Sequence, residues 1–330
     1  MSDLLERFLR YVKVESTAVE VTTDYPSSPG QLEMGRMLAE ELTAIGAQNV
    51  SQDEFGIVMA TVPGNVDGAP TIAWFAHVDT APDYTAKNVN PIVLKNYDGK
   101  DIVLRGDKTK MIREANTPEL PALKGKTLIT TDGTTLLGAD DKAGVAVIMT
   151  AAARLLENPG IPHGPIRVVF TCDEEVGRGT SKLDLAKINA TCGYTLDGDS
   201  AGKIENETFS ADGAVVTFTG VNIHPGLATG KMINALRAAG TFLGQLPHDA
   251  SPEKTSAMQG FIHPYLFEGN VEKATVRFIL RSFSTQELKS QAETLRGIAE
   301  QVRKQFSGIK IEVDVKEQYR NMREYLEKEP

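Results

Sequence analysis

The sequence predicts an α/β protein with a central, mostly parallel sheet and a second, inserted domain of the ferredoxin-like type. Over the first two hundred residues, apolar runs of strand length alternate with helical patterns. Helices placed between apolar strands are typical of a parallel sheet with helices on its faces. Near Glu207 the pattern changes to β-α-β-β-α-β, which is the order of a ferredoxin-like domain.

The elements of the first domain follow from hydrophobic periodicity and from terminal signals. A surface helix is expected within the first twelve residues, and Gly46 ends a second helix. The predicted helices after the first are residues 31–45 and 143–156. The predicted strands are residues 57–62, 71–76, 127–130, 166–171 and 193–196, the last two as core strands. Residues 143–156 are almost entirely apolar, which indicates a helix buried on several sides.

The second domain is predicted from the elements after Glu207. They are strand 214–219, helix 234–246, strands 261–269 and 274–281, helix 286–306 and strand 309–315. Residues 319–330 begin another helix with nothing left to follow, which indicates that the second domain is inserted. We therefore predict a first domain formed by residues 1–207 together with 319–330, and a second domain formed by 208–318.

Composition excludes several classes of protein. The 330 residues carry a net charge of −9, whereas a nucleic-acid surface needs clustered Lys and Arg. No stretch approaches the roughly 20 apolar residues of a membrane span. Two cysteines, Cys172 and Cys192, are too few for a disulfide framework and fit a reducing compartment. We expect a cytoplasmic protein with neither nucleic acid nor membrane as a partner.

The first chemical motif is AHVDT, in which His77 and Asp79 come directly after a predicted strand. Ligands of open α/β sheets bind at the carboxyl ends of strands, and residues two apart there can face one crevice. A metal-bound imidazole needs an acceptor for its second nitrogen, and Asp79 is placed to supply it. Taken alone, a His-x-Asp triplet fits a solvated polar loop equally well.

Three acidic motifs recur at similar positions. Asp140 and Asp141 precede the apolar helix, where capping is the usual explanation of such a pair. Asp173, Glu174 and Glu175 end a hydrophobic strand, and Asp197 ends the next one. Three successive acids repel one another unless a cation or a proton compensates them. Histidine with carboxylates is a mixed set that suits zinc, with cobalt or manganese possible, so a metal-assisted hydrolase is indicated.

These motifs carry a resemblance to a known family. The blocks are HVDTAPDYTAKNVNP, TLITTDGTTLLGADDKAGVA, IPHGPIRVVFTCDEEVGRG, YTLDGD, NIHPGLATGKMINA and YRNMRE. In these blocks and in their order the sequence resembles the di-zinc aminoacylase-type metallopeptidases, and among them those that act on tripeptides. The resemblance implies a catalytic zinc-peptidase domain at 1–207 with 319–330, and a lid and dimerisation domain at 208–318. It also implies release of the N-terminal residue of a tripeptide.

The resemblance assigns ligands for two zinc ions per subunit. His77 and Asp197 would bind one ion, and Asp140 would bridge to a second ion that Glu175 also holds. Asp79 would orient His77.

The resemblance also assigns residues to the reaction and to the substrate. Glu174 would be the general base, which takes a proton from the attacking water and delivers it to the leaving amine. The lid domain would form a homodimer, in which His224 reaches the partner's site and polarises the substrate carbonyl or its oxyanion. Arg281 would bind the carboxylate of the short peptide substrate.

Members of the family continue for several tens of residues past the position of Pro330 and carry a final histidine ligand there. None of the five histidines of this sequence matches that ligand. We therefore expect the second zinc ion to bind weakly and turnover to be impaired.

Three other functions fit parts of the same sequence. An N-acyl amino acid or dipeptide hydrolase could use the same scaffold, and a substrate panel would separate it from a tripeptidase. A catalytically incompetent metal-binding fragment would fit the unmatched ligand. An interaction module that only dimerises would leave the four acidic motifs unexplained.

Overall fold

The computed structural model describes residues 3–198 and 202–328, which form two compact units. Unit 1 is Met1–Ala201 and unit 2 is Gly202–Pro330. Each unit has its own hydrophobic core. Among the described residues, no helix is both long enough and apolar enough to cross a membrane.

Unit 1 is built on a five-stranded mixed sheet flanked by helices. Its helices are α1 (Asp3–Tyr11), α2 (Pro29–Ala44), α3 (Ala139–Glu157) and α4 (Leu185–Ile188). Its strands are β1 (Gln48–Gln52), β2 (Val58–Val62), β3 (Ile72–His77), β4 (Ile92–Leu94), β5 (Ile102–Val103), β6 (Met111–Ile112), β7 (Leu128–Thr130), β8 (Ile166–Thr171) and β9 (Cys192–Thr195). The α/β class is confirmed.

The strand order of the main sheet is β1-β2-β8-β3-β9. Strand β3 runs parallel to β8 and to β9, whereas β2 is antiparallel to both β1 and β8. The sheet is therefore mixed rather than mostly parallel. Strand β1 was not predicted, because its sequence QNVSQ is largely polar and exposed.

The burial of the strands follows their places in the sheet. In β8 every side chain except that of Arg167 is buried, because the strand lies at the centre with neighbours on both sides. In β9 all four residues are exposed, since this edge strand pairs only with β3. The prediction of a core strand at 193–196 was wrong in this respect. Helix α3 is buried on several sides, as predicted.

Two small sheets lie outside the main one. Strand β4 pairs with β7, and β5 pairs with β6. Their own small core consists of Tyr97, Ile102, Leu104 and Leu120. The strand predicted at 127–130 therefore exists, but it belongs to a two-stranded sheet.

Unit 2 has the predicted β-α-β-β-α-β order. Its elements are β10 (Ser210–Thr219), α5 (Ala235–Leu243), β11 (Phe261–Gly269), β12 (Lys273–Ser282), α6 (Thr285–Gln305), β13 (Lys310–Tyr319) and α7 (Arg323–Leu326). The sheet order is β11-β12-β10-β13, with every pair antiparallel. Alternate residues of β10 face a core that includes Val216, Phe218, Phe242 and Phe278. The ferredoxin-like prediction is confirmed.

The segment after β13 packs on unit 2. The backbone N–H of Asn321 donates to Ser210 Oγ at 2.9 Å, and its side-chain oxygen accepts from Thr208 N at 3.1 Å. Its amide nitrogen donates to the Phe283 carbonyl at 3.3 Å. The sequence prediction groups residues 319–330 with the first domain, whereas the structure groups them with unit 2. The division between the units, after Ala201, also precedes the predicted boundary at Glu207.

Candidate active site

The predicted site residues of unit 1 gather at one edge of the main sheet. Strands β3 and β8 are parallel, with His77 opposite Thr171, so their carboxyl ends meet at the same edge. The turn after β8 therefore brings residues 173–175 beside residues 77–79. Strand β9 is also parallel to β3 and leads to Asp197. Helix α3 begins at the same place and contributes Asp140 and Asp141.

The His77 imidazole is the centre of this cluster and is only 2% exposed. Its Nε2 lies 2.9 Å from Asp140 Oδ1, 3.8 Å from Asp197 Oδ2 and 3.9 Å from Glu174 Oε2. Burial lowers the pKa of His77, but the hydrogen bond and the charge of Asp79, followed by other nearby carboxylates, outweigh it and raise the pKa to about 10. The metal-free imidazole therefore carries a proton at neutral pH.

Asp79 contacts both the histidine and the acidic turn. His77 Nδ1 lies 3.1 Å from the Asp79 carbonyl and 3.4 Å from its carboxylate. The two carboxylate oxygens accept the backbone N–H groups of Glu174 and Glu175, at 3.1 and 3.0 Å. Asp79 is fully buried, so these bonds are protected from water. It thus fixes the backbone of residues 174–175 as well as facing the imidazole, a second contact that the sequence did not predict.

Three carboxyl groups near His77, those of Glu175, Asp197 and Asp141, have raised pKa values. Burial, followed by the charge of Asp140, raises the pKa of Glu175 to about 7. Burial also raises the pKa of Asp197 to about 6, with His77 opposing and Asp140 reinforcing the shift. The pKa of Asp141 rises to about 8, again chiefly through burial. Several acids that repel one another in a partly buried cleft are stabilised by a bound cation.

The donor set fits a transition-metal pair. In the part of the chain that the structure describes, two groups of side chains have ligand atoms that all lie within 4.8 Å of one another. The first is His77, Asp141 and Asp197, and the second is His77, Asp140 and Glu175. One imidazole nitrogen with several carboxylate oxygens is a set that zinc, cobalt or manganese accepts. Both groups use the same histidine, whose Nε2 can bind a single ion.

Asp141 is the candidate ligand that the sequence did not single out. Its carboxylate is buried and accepts the backbone N–H of His77 at 3.2 Å and that of Gly144 at 3.1 Å. The adjacent pair in GADDKAG was the available signal, but the resemblance assigned Asp140 alone. Adjacent side chains diverge, so sequence spacing could not decide which carboxylate faces the cleft.

The two predicted substrate-binding residues lie in unit 2. His224 is exposed before a short 3-10 turn, and its Nδ1 accepts the N–H of Gly226 at 3.2 Å. Arg281, on β12, donates to the Leu280 carbonyl at 2.9 Å and lies 5.6 Å from the Tyr319 ring. No carboxylate within residues 3–198 and 202–328 forms an ion pair with Arg281.

Comparisons with known proteins agree with this fold. The peptidase dimerisation domain family matches residues 206–307, and the M42 glutamyl aminopeptidase family matches residues 122–235. The aminopeptidase PepT from Bacillus cereus ATCC 10987 has 25% identity and a TM-score of 0.73, over 97% of this chain and 76% of that chain. A dinuclear metal-binding M20 peptidase from Bacillus subtilis shares the fold, with a TM-score of 0.62 at 14% identity, over 96% of this chain and 74% of that chain. The fold and site define a metallo-aminopeptidase.

Curated relatives identify the family more closely. Peptidase T of Geobacillus sp. (strain WCH70) is 46% identical over 99% of this chain and 80% of its own length. Peptidase T of Bacillus subtilis (strain 168) is 47% identical over 98% of this chain and 80% of its own length. The chain belongs to the peptidase T family.

Proposed function

We propose that this aminopeptidase releases the N-terminal residue of tripeptides at a centre of two zinc ions. The observation that carries the proposal is the cluster of one buried imidazole and carboxylates at the carboxyl ends of β3, β8 and β9. The peptidase T relatives support the choice of substrate and fold, as does a tripeptidase from Staphylococcus aureus. That tripeptidase shares the fold with a TM-score of 0.74 at 22% identity, over 97% of this chain and 76% of that chain.

Four side chains are proposed as ligands: His77 and Asp197 for one ion, Glu175 for the other, and Asp140 between them. Bound zinc supplies Lewis acidity and lowers the pKa of water. Because one imidazole serves both groups, the described residues leave the second ion with carboxylates alone. We therefore propose that the second ion binds more weakly than the first.

Glu174 is proposed as the general base. Its side chain is about half exposed and its Oε2 lies 3.9 Å from His77 Nε2, so it faces the cleft while water can reach it. Its backbone is fixed by the Asp79 carboxylate. Glu174 accepts the proton of the attacking water and then donates it to the leaving amine, which keeps the amine from departing as an anion.

Unit 2 is proposed to be the lid, with residues 208–318 as its extent, and to form the homodimer. The match to a peptidase dimerisation domain supports this proposal. His224 would act on the partner's substrate, where an exposed imidazole can stabilise the developing oxyanion.

Arg281 is proposed to bind the substrate carboxylate, because its guanidinium charge lacks a carboxylate partner in the described part of the chain. Arg320 offers a contrast, since it donates to Asp212 at 2.8 Å and to Glu317 at 2.8 Å.

The catalytic domain is proposed to consist of residues 1–207 together with residues 319–330. The cytoplasm is proposed as the compartment of the protein.

A substrate panel tests the proposal. Purified protein with saturating zinc is assayed on tripeptides, dipeptides, tetrapeptides and N-acetylated amino acids. We expect cleavage of tripeptides at the first bond, with the other substrates at least tenfold poorer in kcat/KM. Efficient hydrolysis of N-acetylated amino acids or dipeptides would instead place the chain with amidohydrolases of the same fold. Turnover of none of them would support a metal-binding protein without activity.

A further inference from the structure

Asp173 directly precedes the proposed base, and both of its carboxylate oxygens accept hydrogen bonds. It is fully buried, and its φ of 61° is left-handed. Left-handed backbone is uncommon outside glycine and is tolerated best by Asn and Asp. A residue in this conformation turns the chain sharply, so the conformation of Asp173 sets the direction in which Glu174 and Glu175 leave β8.

The Asp173 carboxylate accepts hydrogen bonds from four groups. The backbone N–H of Ser27 donates to it at 2.9 Å, the Ser27 hydroxyl donates as well, and Gln31 Nε2 donates at 2.7 Å. Arg178 Nη2 forms an ion pair with it at 2.7 Å. Gln31, itself buried, also accepts the backbone N–H of Asp173 at 2.9 Å. Burying a carboxylate is costly unless it is paired and hydrogen-bonded in this way.

Arg178 closes the turn that carries the two glutamates. Its backbone N–H donates to the Asp173 carbonyl at 2.8 Å, and Nη2 donates to the Asp24 carbonyl at 2.9 Å. Its guanidinium also stacks on the Tyr25 ring, at 5.5 Å. Residues 173 and 178 are thus joined through both backbone and side chain, with the glutamates between them.

We propose that Asp173 and Arg178 are positioning residues for the reaction. Together they anchor one side of the turn to residues 24–31, while the Asp79 carboxylate holds the N–H groups of Glu174 and Glu175 on the other side. The pair touches neither of the glutamate carboxylates in the contacts described and acts through the backbone. This inference rests on the proposed roles of Glu174 and Glu175.

The direct test is Asp173→Asn. Asparagine has nearly the same size and tolerates left-handed backbone, so the change removes the charge while sparing the backbone conformation. Its amide group also brings donors to face Ser27, Gln31 and Arg178. With saturating zinc and below the unfolding temperature, we expect kcat to fall by about tenfold or more, with KM within about threefold, because misplacement near the chemistry costs rate.

A second variant guards against failure to fold. Arg178→Gln removes the ion pair from the partly exposed side, and Arg7→Gln is its matched control. Arg7 forms an ion pair with Glu41, also at 2.7 Å and also in unit 1, and this pair links α1 to α2. Arg7 also donates to Thr150, which lies eleven residues after the first residue of α3 and thus far from the acidic turn. We expect Arg178→Gln to lower kcat by about tenfold, Arg178→Lys to recover part of it, and Arg7→Gln to change stability alone.

The outcomes distinguish the positioning role of Asp173 and Arg178 from the proposed role of Glu174 as the base. If Arg178→Gln and Asp173→Asn keep wild-type kcat while Glu174→Gln is inactive, the positioning role is wrong and the proposed base stands. If Arg178→Gln and Arg7→Gln lower kcat equally, the pair merely stabilises the fold and the inference is overturned. If Glu174→Gln keeps wild-type turnover, the proposed base itself fails.

Discussion

At the scale of single residues, the site consists of one buried imidazole among carboxylates that repel one another. His77 has a pKa raised to about 10, and Glu175 has a pKa raised to about 7. In the metal-free protein these groups hold protons that an arriving cation must displace. Charge balance in the cleft therefore couples metal binding to pH.

We predict that zinc affinity rises with pH. Below pH 10 the His77 ring carries a proton, so binding releases at least one proton and affinity should rise by about tenfold or more per pH unit near pH 8. Protonation of Asp141 below pH 8, of Glu175 below pH 7 and of Asp197 below pH 6 should make the dependence steeper. Competition with a chelator of known affinity, at pH 5.5 to 8.5, measures this slope. Equal affinity at pH 6 and pH 8 would contradict it.

The residues that the sequence identified and those it missed differ in a physical way. The motifs that contain His77, Asp140, Glu175 and Asp197 could be found because each follows a strand or begins a helix, whereas the choice of these residues within the motifs came from the resemblance. The structure places Asp140, Glu175 and Asp197 each with a ligand atom within 4.8 Å of the His77 imidazole. The contacts of Asp173 with Ser27 and Gln31 could not be found, because these residues lie 146 and 142 residues earlier, just before and within the first turn of α2, and form no recognisable motif.

At the scale of elements, the site depends on how closely α3 approaches the end of β9. Gly144 permits the approach: a Cβ at this position would lie 2.1 Å from the Leu196 carbonyl oxygen and 2.3 Å from Asp141 Oδ1. Both contacts are far shorter than van der Waals distance. Leu196 precedes Asp197, so a side chain at Gly144 would displace two candidate ligands at once.

We predict that Gly144→Ala destabilises unit 1 and weakens zinc binding. Overpacking of this kind lowers the free energy of unfolding by about 1–3 kcal/mol. Urea unfolding measures this loss of stability, and zinc titration measures the loss of affinity. The matched control is Gly160→Ala, since no atom lies within 4 Å of the Cβ added there. Its stability should change by less than about 0.5 kcal/mol. Wild-type zinc affinity in Gly144→Ala would show that α3 does not lie close enough to the end of β9 for a Cβ to displace the candidate ligands.

A second prediction concerns helix α6. Gly297 is exposed in the interior of this helix, and a Cβ added there meets no atom within 4 Å. Alanine has the higher helix propensity, so Gly297→Ala should stabilise unit 2 by about 0.5–1 kcal/mol. Urea unfolding followed by circular dichroism measures the gain. A loss of stability would mean that this face of α6 packs against another surface.

Element types were predictable wherever the hydrophobic period was strong. The β-α-β-β-α-β order of unit 2 follows directly from alternation in β10 and β12 and from the helical period of α6. Strand direction in unit 1 was less predictable. Strand β2 is as apolar as a buried parallel strand, yet it runs antiparallel to β8. Burial on both faces produces the same apolar pattern in either direction, so the sequence does not reveal the direction of the strand.

At the scale of the whole molecule, the chain combines unit 1, which carries the candidate metal ligands, with unit 2, which matches a peptidase dimerisation domain. His224 belongs to unit 2 and the proposed metal ligands belong to unit 1. If His224 acts on the partner's substrate, each active site of the dimer combines residues from two chains. Complementation between inactive variants can detect such sharing.

We predict that mixing Glu174→Gln with His224→Ala restores activity. Each variant alone should lose most turnover. A mixed dimer contains one intact site, with Glu174 from one chain and His224 from the other. After unfolding and refolding an equimolar mixture, random pairing should give about a quarter of wild-type activity. Activity no higher than the mean of the two variants would place His224 and Glu174 in the same chain's site, or outside the reaction.

In the mechanism proposed above, the acidic cluster of unit 1 is the hydrolytic centre and Glu174 is its base. The most direct measurement is tripeptide hydrolysis by Glu174→Gln and by wild type, each at the same measured zinc content. We expect the variant to keep its zinc, its fold and its KM within about threefold, while kcat falls by roughly 10²–10⁴. A variant with full zinc content and wild-type kcat would contradict the claim.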